Sequence, residues 1–145
     1  MKDFTLYFIK VVFMNLKKLK SEFDHQAELF EWARNPFTLK KYPMLDLMFA
    51  INNGLKLSIG QAVKAKRAGT NKGTPDIFLP FPRFSTKTSP AFYGLFIEMK
   101  KDGGRLSDEQ LKKIERLTFY GYRCRVCFSA KEAIDVIEEY LKSEI

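Results

Sequence analysis

Apolar residues along this chain fall into two spacings, one of helices and one of strands, and breakers separate them cleanly. Leu29, Phe30 and Trp32 follow Ser21 at helical spacing, so residues 21–34 read as a helix with Ser21 as N-cap and Pro36 beyond its end. The apolar run at 45–51 reads as a strand, stopped by the turn formers Asn52, Asn53 and Gly54. A second helix spans 58–68 and ends at Gly69. Runs at 76–79 and 92–99 read as strands. Between them Pro80, Pro82 and Pro90 bound a loop of about 12 residues, long enough for a binding loop. Gly103 and Gly104 turn the chain, and Ser107 caps a helix over 108–120 that Gly121 stops. A strand at 124–128 and a helix at 130–142 complete the order αβαββαβα, which predicts an α/β domain with a mixed sheet.

Composition narrows the class. At 145 residues, 46% of them hydrophobic and 29% charged, the chain suits one soluble globular domain with its own core. Lys and Arg number 25 against 17 Asp and Glu, and the net charge of +8 favours a polyanionic partner. The excess is concentrated. Residues 47–75 contain no acid and carry Lys56, Lys64, Lys66, Arg67 and Lys72. Lys64 and Arg67 lie one helical turn apart, so the second helix shows a basic face. Such a face fits a phosphate backbone, with an ordinary solvated face as the bland alternative. Lys101 and Arg105 extend the basic set.

The apolar stretch at 4–14 is broken by Lys10, is too short to span a bilayer, and has no small-residue cleavage site after it. Residues 1–20 are therefore expected to be an N-terminal extension. Two readings stay open: a start at Met14, or a segment packing on a neighbouring protomer. Cys124 and Cys127 have CxxC spacing but fall on a strand, where positions three apart face opposite sides. With His25 the one histidine, no zinc set is available. Two reduced cysteines and a cytoplasmic location are expected.

The chemistry concentrates in two short motifs. One is the turn Gly73-Thr74-Pro75-Asp76, which opens a strand. The other is Glu98-Met99-Lys100, which closes the next strand, and Glu98 is the one acid of the chain with a Lys two positions later. Period two sends Glu98 and Lys100 to one face and Met99 to the other. If the two strands pair antiparallel, Asp76 can fall opposite Glu98 on the same face. Two carboxylates at that spacing suit a hard, hydrated cation such as Mg²⁺, with Lys100 beside an attacking water. Each acid alone has a structural reading: Asp76 as a turn cap, Glu98 and Lys100 as a surface charge pair. Flanked by strands this apolar, a carboxylate pair needs compensation by a cation or hydrogen bonds.

The Pro-Asp and Glu-x-Lys pair resembles the signature of the PD-(D/E)xK nuclease superfamily. The ordered series Ala50-Ile51-Asn52-Asn53-Gly54, a basic helix, Gly73-Thr74-Pro75-Asp76, Glu98-Met99-Lys100, Leu106-Ser107-Asp108-Glu109-Gln110 and Gly121-Tyr122-Arg123 is similar, more narrowly, to a VRR-NUC domain over roughly residues 22–143. The resemblance implies a restriction-endonuclease-like αβββαβ core with a mixed central sheet flanked by helices, in a nuclease domain over residues 21–145. It implies Asp76, Glu98 and the Met99 backbone carbonyl as ligands of Mg²⁺ or Mn²⁺. It further implies Lys100 as a catalytic group, Gln110 near the metal waters or the phosphate, and a first-helix carboxylate, Glu22 ahead of Glu28, in support. The Glu22-to-Gln26 spacing resembles the family's helix start. The DNA-binding set is Lys56, Lys64, Lys66, Arg67, Lys72, Lys101 and Arg105.

Relatives of this type in phages and bacteria imply a homodimeric, structure-selective endonuclease acting on branched DNA, above all four-way (Holliday) junctions. The alternatives are a flap or nicking nuclease and a non-catalytic nucleic-acid-binding module of the same fold. Intact Asp76, Glu98 and Lys100 weigh against the last.

Overall fold

The computed structural model describes residues 20–51, 57–84 and 90–142. Residues 1–19, 52–56 (with Asn52, Asn53, Gly54 and Lys56), 85–89 of the proline-bounded loop and 143–145 lie outside them, and so do the expectations placed there.

Helix α1 (Glu22–Arg34) starts where Ser21 and Asp24 satisfy each other's backbone amides, the Ser21 Oγ accepting from Asp24 N and the Asp24 carboxylate from Ser21 N. It buries Leu29 and Ala33. Asn35 then ends one helix and caps another, because its side chain accepts from Phe37 N and Pro36 sits at the first helical position of α2 (Pro36–Lys41). A proline read as a stop signal is here also a start.

The strand expected over 45–51 is shorter than the apolar run. Pro43–Leu47 forms a 3₁₀ turn instead, and only Phe49–Ala50 pairs as β1. Leu45 and Met48, three apart, both turn into the core. That is the spacing of a 3₁₀ turn, and an apolar run alone does not distinguish it from a strand.

Helix α3 (Ile59–Arg67) follows, capped by Ser58 and Gln61, and none of its residues is buried. Strand β2 (Ile77–Leu79) pairs antiparallel with β1 and with β5 (Leu95–Met99). The strand expected over 92–99 is interrupted at Gly94. Before it, β4 (Pro90–Phe92) pairs with β3 (Arg83–Phe84) in a separate hairpin. Gly94 is where β2 comes close: a Cβ there would stand 2.7 Å from the Phe78 ring and 3.0 Å from the Leu79 carbonyl oxygen. Within the proline-bounded stretch Arg83–Phe84 and Pro90–Phe92 thus form strands, and the Tyr140 hydroxyl donates to the Phe81 carbonyl at 2.6 Å.

Helix α4 (Asp108–Phe119) leads into β6 (Arg123–Cys127), parallel to β5, and the described chain ends with α5 (Ala130–Lys142). The sheet order is β1-β2-β5-β6. Taken as α1, β1, β2, β5, α4 and β6, the chain contains the αβββαβ core with a mixed sheet; α3 and the β3-β4 hairpin are insertions.

All five residues of β5 are buried, so this central strand is covered on both faces. Leu95, Ile97 and Met99 join Leu29, Ile77, Ile137 and Tyr140 in the main core under α1 and α5. On the other face Phe96 stacks on Phe78 at 4.2 Å. Each large aliphatic side chain removed from water here contributes about 1.5–3 kcal/mol, which makes β5 a rigid platform for the polar residues at its C-terminal end. Among the described residues no helix is long and apolar enough to cross a membrane. Cys124 and Cys127 are both free thiols, and burial pushes the Cys127 thiol up to about 12.

Candidate active site

Asp76 and Glu98 meet because the register of β2 against β5 brings them together. Ile77 pairs with Ile97, so the next step along the antiparallel ladder sets Asp76 against Glu98. The Asp76 backbone is held from the other side, its carbonyl accepting from Ile51 N at 2.6 Å. One Asp76 carboxylate oxygen, Oδ2, accepts from Met99 N at 2.8 Å. The Met99 side chain is buried in the core.

Glu98 is 1% exposed and Lys100 9% exposed, on the same face of the strand end. Glu98 Oε1 accepts from Lys100 Nζ at 2.7 Å and from Gln110 Nε2 at 2.5 Å. Its second oxygen, Oε2, is buried and has no hydrogen-bond partner among the described residues. Gln110 is used twice. Its amide oxygen accepts from Ser107 N at 2.9 Å, closing the capping box of α4, while its amide nitrogen holds Glu98. The Glu22 carboxylate accepts from Lys101 N at 3.1 Å and so ties the start of α1 to the end of β5.

These groups line one cleft of about 360 Å³, formed by Glu22, Lys72, Gly73, Thr74, Asp76, Glu98, Lys100, Ser107, Glu109 and Gln110. Four carboxylates face two amines there, so the cleft is acidic within a basic protein. Burial raises the pKa of Asp76, against the pull of the Met99 amide and of Lys100. Burial also pushes Glu98 up to about 7, with the Lys100 hydrogen bond opposing and the nearby Asp76 and Glu22 charges adding to the rise. Among the described residues no three His, Cys, Asp or Glu side chains form a ready-made metal cage.

Of the residues singled out from sequence, Asp76, Glu98, Lys100, Gln110, Glu22 and Lys72 share this cleft. Glu28 does not; it forms an exposed ion pair with Lys20. Gln26 lines a different groove, of about 260 Å³, with Phe23, Ala27, Phe30, Arg34, Phe49 and Ala50. Lys64, Lys66 and Arg67 are exposed on α3, and Lys101 and Arg105 are exposed on the loop between β5 and α4. Thr74, Ser107 and Glu109, named in the sequence motifs but given no role at the site, also line the cleft. Ser107 was legible as a helix cap, but its link to Glu98 through Gln110 was not.

The raised Glu98 pKa has a measurable consequence. Folding strengthens proton binding by this group, so its contribution to stability is complete below its ordinary value near 4.5 and is lost as pH rises to about 7. In chelator, the folding constant of the wild type is expected to fall relative to Glu98→Gln by up to about tenfold per pH unit across that window. Urea unfolding of both proteins from pH 4.5 to 8 checks this; parallel stability curves would contradict it.

A mixed sheet bearing two carboxylates and a lysine where two central strands meet defines a restriction-endonuclease-like architecture. A model of the VRR-NUC domain family matches residues 20–131, and the chain belongs to that family of nuclease domains. The fold is similar to a solved structure titled a VRR_NUC domain protein, with 28% sequence identity, a TM-score of 0.69, and coverage of 86% of this chain and 91% of that one. A comparison with curated proteins gives no match.

Proposed function

We propose that the protein is a metal-dependent, structure-selective DNA endonuclease that resolves four-way junctions as a homodimer. The observation that carries this most directly is the buried, unpartnered Glu98 Oε2 beside Asp76. A buried carboxylate oxygen without a donor is costly, and a cation compensates it. Asp76, Glu98 and the Met99 backbone carbonyl would hold Mg²⁺ or Mn²⁺, an oxygen-only set suited to hard cations that keep several waters. When bound, such an ion neutralises phosphate charge and lowers the pKa of a water nucleophile. Lys100 supplies a positive donor at the same place, Gln110 fixes the Glu98 carboxylate, and Glu22 adds negative charge at the cleft.

DNA as substrate is supported by the acid-free segment 47–75 and by the exposed cations of α3 close in sequence to the cleft-lining Lys72. A homodimer is supported by apolar side chains open to solvent on the described surface: Phe23 at 76%, Phe37 at 86% and Ile59 at 88% exposure. Two copies would gain by covering such side chains, and a junction offers two symmetric strands to cut.

The test is a cleavage assay on four-way, flap and linear duplex DNA, with light scattering to give the mass in solution. Four-way junctions are expected to be cut in Mg²⁺ or Mn²⁺ and untouched in excess EDTA, with Ca²⁺ supporting binding without turnover. Full activity in EDTA would exclude the metal. A monomer cutting all three substrates equally would exclude junction resolution, and binding without cutting in any metal would leave a non-catalytic module.

Salt adds a second check. Log affinity is expected to fall with log salt by about 0.9 for each phosphate neutralised. Replacing Lys64, Lys66 and Arg67 together by Gln should flatten that slope and weaken binding to every DNA shape alike, since phosphate contacts carry no sequence information. A Ca²⁺-supported titration measures it, and an unchanged slope would place the DNA away from α3.

A further inference from the structure

Gly73 takes a left-handed backbone, with φ at +78°, and lies against the first turn of α4. A Cβ there would stand 2.6 Å from the Glu109 carbonyl oxygen, 2.7 Å from its carbonyl carbon and 3.0 Å from Gln110 N. All three atoms are backbone, so none can swing aside. Gly69 and Gly103 share the left-handed conformation, with φ of +97° and +72°, yet a Cβ on either would meet nothing within 4 Å. Only at Gly73, of these three, does the missing side chain permit a contact.

The contact joins the two supports of the site. Three residues beyond Gly73 lies Asp76, on a turn stiffened by the Thr74 hydroxyl, which donates to the Asn71 carbonyl at 2.9 Å, and by the fully buried Pro75. On the other side, the touched turn carries Gln110, which holds Glu98 Oε1 at 2.5 Å. Asp76 and Glu98 thus depend on two elements that meet at Gly73.

We infer that Gly73 is a positioning residue. The approach of its bare backbone to α4 sets the spacing between Asp76 and the Gln110-held Glu98, and with it the affinity of the site for a divalent ion. This rests on the proposal that Asp76 and Glu98 bind such an ion. A methyl at position 73 would push the Asp76 turn away from α4 and spread the two carboxylates.

The test compares Gly73→Ala with Gly69→Ala and Gly103→Ala, which carry the same left-handed penalty without the contact. Mn²⁺ affinity is measured by calorimetry on the folded proteins, with melting temperature in chelator as the control for stability. Gly73→Ala should weaken Mn²⁺ binding roughly 10- to 100-fold, the scale for removing support behind a ligand. The two controls should stay within about twofold of the wild type while all three melt a few degrees lower. In a Gln110→Ala background the effect of Gly73→Ala should shrink, because the link to Glu98 is already cut. Should Gly73→Ala not fold, Gly73→Asn repeats the measurement, since Asn tolerates the left-handed region but carries the same Cβ. Wild-type Mn²⁺ affinity in Gly73→Ala, or an equal loss in Gly69→Ala, would overturn the positioning role alone. Absence of Mn²⁺ binding by the wild type would overturn both it and the proposed metal site.

Discussion

Asp76→Asn and Glu98→Gln are each expected to lower the rate of DNA cleavage by about 10³-fold or more while leaving the protein folded and bound to DNA. Both changes remove a charge and keep the shape. Asn retains a carbonyl oxygen to accept from Met99 N, as Asp76 Oδ2 does at 2.8 Å, and Gln retains one to accept from Lys100 and Gln110. What each loses is half of the anionic pair that would hold a divalent ion. Charge stabilisation by such an ion is worth several kcal/mol in the transition state, and every 1.36 kcal/mol is about tenfold in rate. Stability should hold or rise, since two desolvated carboxylates, both with raised pKa values, no longer repel. Affinity for DNA should also hold, because the exposed cations of α3 are untouched. The checks are single-turnover cleavage in Mg²⁺, melting temperature in chelator and binding in Ca²⁺. Turnover within tenfold of the wild type in either variant would remove that residue from the metal site.

Much of this site was legible because it follows from the strand period. Once residues 76–79 and 92–99 read as strands, an antiparallel pairing can set Asp76 against Glu98, period two puts Lys100 on the same face, and the register of β2 on β5 supplies the rest. The Ser21 and Ser107 caps were likewise local, each completed by a residue three positions on. What escaped was set by contacts distant in sequence or by ambiguous local signals. The Phe78 ring lies where a Cβ on Gly94 would stand, and Gly73 lies against a helix that begins at Asp108. The 3₁₀ turn at Pro43–Leu47 and the helix starting at Pro36 were hidden by apolar residues and prolines that fit more than one structure. On α1, helical spacing alone does not say which carboxylate points to the cleft. The fold brings Glu22 there by tying it to Lys101 N, and leaves Glu28 to Lys20.

The same geometry separates two roles for Lys100. Its amine donates to Glu98 Oε1 at 2.7 Å and, by charge and hydrogen bond, pulls the Glu98 pKa down from where burial alone would put it. Lys100 therefore favours the ionised Glu98, and it also presents a cation at the place where the phosphate would react. Lys100→Met keeps the bulk of the side chain and removes both effects, and cleavage at neutral pH is expected to fall by about 10²- to 10⁴-fold. The two effects part on raising the pH. Without Lys100 the pKa of metal-free Glu98 moves further up, so a proton competes with the metal there, and any loss that arises from that competition is recovered at higher pH or higher metal concentration. A loss that arises from the missing donor at the reacting atoms is not. The expected pH–rate profile of Lys100→Met rises to a plateau at higher pH than the wild type, and that plateau stays at least about 10²-fold lower. Melting in chelator should change little, because Gln110 still holds Glu98 Oε1 at 2.5 Å. A plateau equal to that of the wild type would show that Lys100 serves only to keep Glu98 ionised, and would remove it from the groups proposed to act at the phosphate.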